Sequence, residues 1–208
     1  MRIMNKKIFI IILFFVLIIS IFISWSIIVS PQYSLKQLKK AIPRDDMLAF
    51  DKYVDLDRTV DNAIDQIWQF YGAPAPESRK SRWIDIRNEI GQSMLSIFKP
   101  NLKEIIKKEV YHYIINGKLG NINSQGEGRL ASMIMKLAEE KINPKNWEFQ
   151  SINYTKIKED MAFLGLTYYD KSKQANFVVD IKMRNMQGYW QLIEITNIAQ
   201  ILKIYNDI

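Results

Sequence analysis

Phe177-Val-Val-Asp-Ile-Lys-Met-Arg184 decides the fold class. Phe177, Val179, Ile181 and Met183 alternate with Val178, Asp180, Lys182 and Arg184. Successive side chains of a strand point to opposite faces of its sheet, so this run predicts one buried face and one wet face. Three further runs share its aromatic and β-branched character: 147–156, 161–169 and 189–196. Charged or glycine-containing turns separate them, and Asn185-Met-Gln-Gly188 reads as a hairpin connection. Four consecutive strands joined in this way form an antiparallel meander.

Before residue 147 the apolar period changes to three and four. Ser30-Pro31 supplies a cap and a proline at the first helical position, ahead of Leu35, Leu38, Ala41 and Ile42. A short helix over 45–53 follows, with Asp45 as cap and Met47, Phe50, Tyr53 and Val54 inward. The clearest stripe is Leu56, Val60, Ala63, Ile64, Ile67, Trp68 and Tyr71, ended by Gly72. A proline-rich loop over 72–80 precedes a helix carrying Trp83, Ile86, Ile90, Met94, Ile97 and Phe98. Lys99-Pro100 is expected to break that helix and start another, over Leu102, Ile105, Ile106, Val110, Tyr113 and Ile114. A further helix is expected over 130–142, and a short one closes the chain at 197–205. Helices followed by strands predict an α+β domain, several helices packed on a four-stranded sheet. Trp68 and Trp190 are expected to be buried in it.

The first thirty residues set the cellular context. Arg2, Lys6 and Lys7 precede an uncharged run over 8–29. About 20 apolar residues suffice for a helix to cross a ~30 Å hydrocarbon core. A secretory signal has a shorter apolar region, ~7–15 residues, and a small-residue cleavage site, which Ser24, Ser26 and Ser30 supply poorly. The run therefore reads as an uncleaved single-pass transmembrane helix. The preceding cations favour a cytoplasmic N-terminus, and Trp25 suits the far interface. The division is a tail and anchor over 1–30 and one extracytoplasmic domain over 31–208, at a bacterial inner (cytoplasmic) membrane.

Composition narrows the chemistry. The chain is 48% hydrophobic and 25% charged, which is ordinary for a globular protein. It has no cysteine, which removes disulfides, a thiol nucleophile and a lipid-bearing cysteine. Its formal charge is +7, and discounting the three N-terminal cations leaves about +4 with both signs interspersed, so nucleic acid is not an expected partner. His112 is the single histidine, so no histidine cluster exists to bind a transition metal. Asp55, Asp57, Asp61 and Asp65 lie on a helix but lack the glycine of a calcium loop, and read as dipole-complementing charges facing water. Gly117-Lys118 with Gly120, Gly126 and Gly128 lacks the order of a phosphate loop. No cofactor is expected. What remains is the sheet: Asp180 and Glu194 as pocket carboxylates, and Lys156, Lys158, Lys182 and Arg184 as contacts for an anionic surface.

The junction Ser30-Pro31-Gln-Tyr33-Ser-Leu35-Lys-Gln-Leu38-Lys39-Lys-Ala41-Ile42, with Asp46-Met-Leu-Ala49-Phe50 and Tyr53-Val54-Asp55, resembles a bacterial family, domain-of-unknown-function family 2939. Phe98-Lys99-Pro100 and Gly188-Tyr189-Trp190-Gln-Leu192-Ile-Glu194-Ile195 are similar to it as well. The chain departs from it at Pro43 and in the basic 103–108 segment. The resemblance implies a membrane-anchored domain and brings no catalytic residues. The order of elements looks similar to a cystatin-like or nuclear-transport-factor-like cone, a scaffold that supports unrelated functions. The expected function is that of a membrane-anchored, non-enzymatic envelope module binding a partner protein or a lipid-like, anionic ligand. The competing readings are a small pocket enzyme with a sheet carboxylate as general base, and a structural or assembly factor.

Overall fold

A computed structural model describes residues 6–72, 82–117, 120 and 146–206. The expected loop over 72–80 beyond Gly72, the helix over 130–142 and Gly126 and Gly128 of the glycine series lie outside the described residues, as do the side chains of 6–12, 23, 71–72 and 82–98. Among the described residues the helices are α1 (Lys6–Ile28), α2 (Pro31–Ala41), α3 (Met47–Tyr53), α4 (Leu56–Gly72), α5 (Arg82–Asn116) and α6 (Ile198–Asn206), with a 3-10 turn at Ile42–Arg44. The strands are β1 (Trp147–Lys158), β2 (Met161–Asp170), β3 (Ala175–Asn185) and β4 (Trp190–Ile195). They form one antiparallel sheet in the order β1-β2-β3-β4. The protein is thus α+β, with a meander as the alternation in β3 predicts.

The register defines the two faces of the sheet. Ala162, Leu164, Leu166 and Tyr168 stand opposite Met183, Ile181, Val179 and Phe177. Leu164, Ala162 and Met183 are fully buried. Tyr205 and Ile201 of α6 and Leu35 of α2 close this face. A second core joins Leu38, Phe50, Tyr53, Val54, Leu56, Val60, Ile64, Leu102 and Ile114, from α2 to α5. Leu35 and Leu192 touch both, so the helices and the sheet share one continuous apolar interior.

β4 would be a bare edge, a hazard for unwanted pairing. Instead α4 and the chain before it cover it. Val54 bridges to Leu192, the Asp55 amide donates to the Leu192 carbonyl at 2.8 Å, and Asn62 and Gln66 side chains donate to the carbonyls of Ile193 (3.3 Å) and Ile195 (2.6 Å). A register shift in β4 accommodates Ile193, which is 3% exposed.

Four expectations need correction. Pro100 lies inside a continuous α5 and does not break it. Proline there removes one helical hydrogen bond, a cost of roughly 3 kcal/mol; Leu102 in the core and Lys99 against Asp61 and Asp65 hold the flanking turn against α4. Asp46, not Asp45, caps α3 by accepting from the Ala49 amide at 3.0 Å. Asp45 instead takes a left-handed conformation, φ 54°, that closes the 3-10 turn. Trp190 is buried as expected, but Trp68 is only half-buried. The acidic ladder of α4 does not simply face water, as described below.

Candidate functional site

All six residues singled out on the sheet project from the same face, the one opposite the core. The pairing sets them in three rows across the strands. Tyr154, Gly165 and Asp180 form the first; Lys156, Phe163, Lys182 and Glu194 the second; Lys158, Met161, Arg184 and Gln191 the third. Asp180, Lys182, Arg184 and Glu194 are half-buried, whereas Lys156 and Lys158 at the β1 edge are exposed.

The first row depends on a glycine. The Tyr154 ring lies over Gly165, where an added Cβ would come within 2.4 Å of the ring. That close approach lets the Tyr154 hydroxyl donate to Asp180 Oδ1 at 2.9 Å. Burial raises the Tyr154 phenol above its usual range, and the bond to Asp180 adds to it, so the phenol keeps its proton and acts as the donor. The backbone of Asp180 is held from the other side. Its amide donates to Asn197 Oδ1 at 2.9 Å, and its carbonyl accepts from the Thr196 amide at 2.8 Å.

In the second row the Lys182 ammonium lies 3.9 Å from Glu194 Oε2 and 5.8 Å from the Phe163 ring centroid. Lys156 sits 5.5 Å above the Tyr154 ring. In the third, Arg184 reaches the edge of the sheet, 3.9 Å from Asp55 Oδ2, while its Nε is buried without an acceptor. The face carries charges of both signs in rows across the four strands. Its carboxylates are tied to a phenol and to an ammonium, and such an array suits recognition of a charged partner surface. The two exposed lysines give its β1 edge a positive bias.

The acidic ladder has partners that the sequence reading did not assign. Asp61 and Asp65 flank the Lys99 ammonium at 3.2 and 2.8 Å; Asp57 takes Lys103 at 3.2 Å and Lys107 at 3.0 Å. Residues four apart on α4 meet residues four apart on α5, so two helical stripes of opposite charge zip together. Hydrogen bonds from Lys107 and Lys103 lower the Asp57 carboxyl below its usual range. Asp55 accepts from the Arg58 amide at 3.0 Å and caps α4. Among the described residues no group of three or more histidine, cysteine or acidic side chains could hold a metal ion. His112 is half-buried on α5.

Sequence reasoning missed a buried carboxylate. Asp170, 2% exposed at the end of β2, accepts at Oδ1 from the Ser172 amide (2.8 Å), the Ser172 hydroxyl (2.6 Å) and the Lys173 amide (3.3 Å). Tyr205 of α6 donates its hydroxyl to Oδ2 and accepts from the Trp147 indole at 2.9 Å. Burial opposes the Asp170 charge, but these donors outweigh it and hold the carboxyl below its usual range. Burial, then the bond to Asp170, raises the Tyr205 phenol. Both carboxylate oxygens of Asp170 and the Tyr205 hydroxyl are engaged by neighbours, so the cluster clamps α6 to the sheet. The local signal, Asp170 two residues before Ser172, marks the turn; Trp147 enters from the start of β1 and Tyr205 from α6.

α1 stands apart from both cores. Leu13, Phe14, Phe15, Val16 and Leu17 are 56–62% exposed in succession, so every side of this stretch of the helix is bare and apolar. Its end is tied down: the Trp190 indole donates to the Val29 carbonyl at 2.8 Å, and Ser30 Oγ caps α2 by accepting from the Tyr33 amide at 3.1 Å. Among the described residues no single helix is long and apolar enough to cross a membrane; the stretch Leu13–Ile28 passes by length and composition only together with Pro31–Arg44, from which it is bent by 58°. α2 itself buries Ser34, Leu38 and Ala41 in the domain.

No protein-family model, curated protein or solved structure matches the chain.

Proposed function

We propose that the protein is a membrane-anchored, non-enzymatic module of the bacterial envelope, with α1 as its single span and the α+β domain on the extracytoplasmic side. The observation that carries this is the exposure of large apolar side chains around the described part of α1, from Leu13 to Ile28. A helix that packs on its own domain buries one stripe, whereas one that is apolar on all sides needs an apolar medium. The uncharged run of the sequence from Ile8 to Ile28, helical at ~1.5 Å per residue, would reach about 32 Å against a hydrocarbon core of ~30 Å, whereas the described stretch Leu13–Ile28 falls short of a span by itself. Kinship with family 2939 belongs to this reading and rests on the Ser30–Ile42 junction and its companion motifs.

The charged face of the sheet is the binding surface in this proposal, and its ligand is a partner protein or a lipid-like, anionic molecule. The supporting feature is the gathering of Lys156, Lys158, Lys182 and Arg184 on one face. Native mass spectrometry of the full chain in detergent, beside the variant Lys156→Glu/Lys158→Glu, tests it. A bound lipid or protein that persists in the parent and is lost in the variant is the expected result. Retention of the same species in both would remove the sheet face from the account.

A further inference from the structure

We infer that α2 carries a second, separate contact surface, formed by Lys36, Lys40 and Arg44, that lies in the headgroup layer of the anchoring membrane and binds anionic lipid headgroups. This inference rests on the reading of α1 as a membrane span.

The argument begins with the elbow between α1 and α2. Its bend is 58°. Five bonds fix it: the Ser30 amide and hydroxyl both donate to the Ile27 carbonyl at 3.1 and 2.7 Å, Ser30 Oγ accepts from Tyr33, the Trp190 indole holds Val29, and the Trp190 amide donates to the buried Ser34 hydroxyl at 2.9 Å. The domain therefore does not hang from a flexible linker. Its attitude to α1 is set by groups that include a buried pair.

A fixed bend fixes heights. With α1 along the membrane normal, each α2 residue climbs ~1.5 Å along its own axis, and so about 0.8 Å away from the membrane. Lys36 and Lys40 then stand about 5 and 8 Å above the end of the span. The headgroup region on one side of a bilayer is roughly 5–7 Å deep, so both ammonium groups have phosphates within reach of their four-carbon stems. Pro31, Ser34, Leu38 and Ala41 face the domain. Lys36 and Lys40, four apart, lie on the opposite side of the helix and are exposed, as is Arg44 in the following turn.

Charge pairing separates these cations from those of α5 and β3. Lys99, Lys103 and Lys107 are neutralised by α4, and Lys182 and Arg184 lie near carboxylates. Among the described residues Lys36, Lys40 and Arg44 make no ion pair, and Lys39 is turned aside over the Phe149 ring at 4.7 Å. The nearest acids in sequence are Asp45 and Asp46, and Asp46 is committed to capping α3. Cations next to a span gain most from anionic lipid within a Debye length of the surface.

The chain has no cysteine, so a spin label on Gln37→Cys reports one position. The full chain is reconstituted in vesicles of phosphatidylcholine alone and in vesicles containing 30% phosphatidylglycerol. The expected result is an accessibility to an aqueous nickel chelate at least threefold lower in the anionic vesicles, reversed by 0.5 M salt and by Lys36→Gln/Lys40→Gln/Arg44→Gln. Equal accessibility in the two vesicles, or a drop that survives the triple substitution, overturns the inference while leaving the span intact. Release of the chain by alkaline carbonate overturns the span first and this surface with it.

Discussion

The Trp190 indole donates to the Val29 carbonyl at 2.8 Å, joining the last strand to the end of the first helix across 161 residues of chain. The same residue's amide donates to Ser34 Oγ, a hydroxyl with no exposed surface. β4, α2 and the end of α1 are therefore one mechanical unit. Ser34→Ala leaves the Trp190 amide buried and unbonded, a loss of about 1–3 kcal/mol. Trp190→Ala adds a cavity and should cost about 3–5 kcal/mol. Chemical denaturation in detergent measures both, and a Ser34→Ala variant as stable as the parent would show that this joint bears no weight.

Gly165→Ala should destabilise the sheet by about 1–3 kcal/mol, because the new methyl meets the Tyr154 ring. In a Tyr154→Ala background the same change should be nearly neutral. A double-mutant cycle separates the two cases. Additive losses would mean that the ring does not lie where the glycine leaves room for it.

The Asp170 clamp predicts an acid limit. Its carboxyl is held below the usual range in the folded protein, so it binds a proton more weakly there than in the unfolded chain. Its contribution is then present above about pH 4, the unfolded value, and is lost as pH falls through the folded one. Denaturation followed against pH should show stability falling on the acid side of pH 4, with a shallower fall in Asp170→Asn. Tyr205→Phe strips the donor from Oδ2 and should cost about 1–3 kcal/mol.

The α4–α5 zipper should contribute modestly. Its aspartates are 43–60% exposed, and each pair supports the fold by about 0.2–1 kcal/mol. Lys99→Ala removes a cation shared by Asp61 and Asp65 and should show the largest single effect. That effect should shrink at high salt. An undiminished loss in 1 M salt would assign the effect to packing of the Lys99 stem.

What the sequence reveals follows from how local each signal is. The alternation in β3, the Ser30-Pro31 cap and the stripe of α4 are nearest-neighbour patterns, and each appears in the structure where the pattern lies. The rows of the candidate face were half legible: parity along β3 places Asp180, Lys182 and Arg184 together, but only the register shows Lys156 and Lys158 beside them. Pro100 misleads because tertiary contacts at Lys99 and Leu102 override a local breaker. The acidic ladder and the basic stretch of α5 were each visible, and their pairing was not, since it depends on how two helices pack. Asp170 was missed because its partner Tyr205, and Trp147 which donates to Tyr205 in turn, are distant in sequence.

The central claim is that α1 crosses the membrane and leaves the sheet outside. Two single-cysteine variants test it, Asn5→Cys before the apolar run and Ser151→Cys on the exposed β1 edge, treated in sealed spheroplasts with a membrane-impermeant maleimide. The account predicts that Ser151→Cys labels in intact spheroplasts and Asn5→Cys only after lysis, with both on a full-length, carbonate-resistant chain. Protection of Ser151→Cys until lysis, or its labelling on a shortened and carbonate-extractable chain, would contradict it.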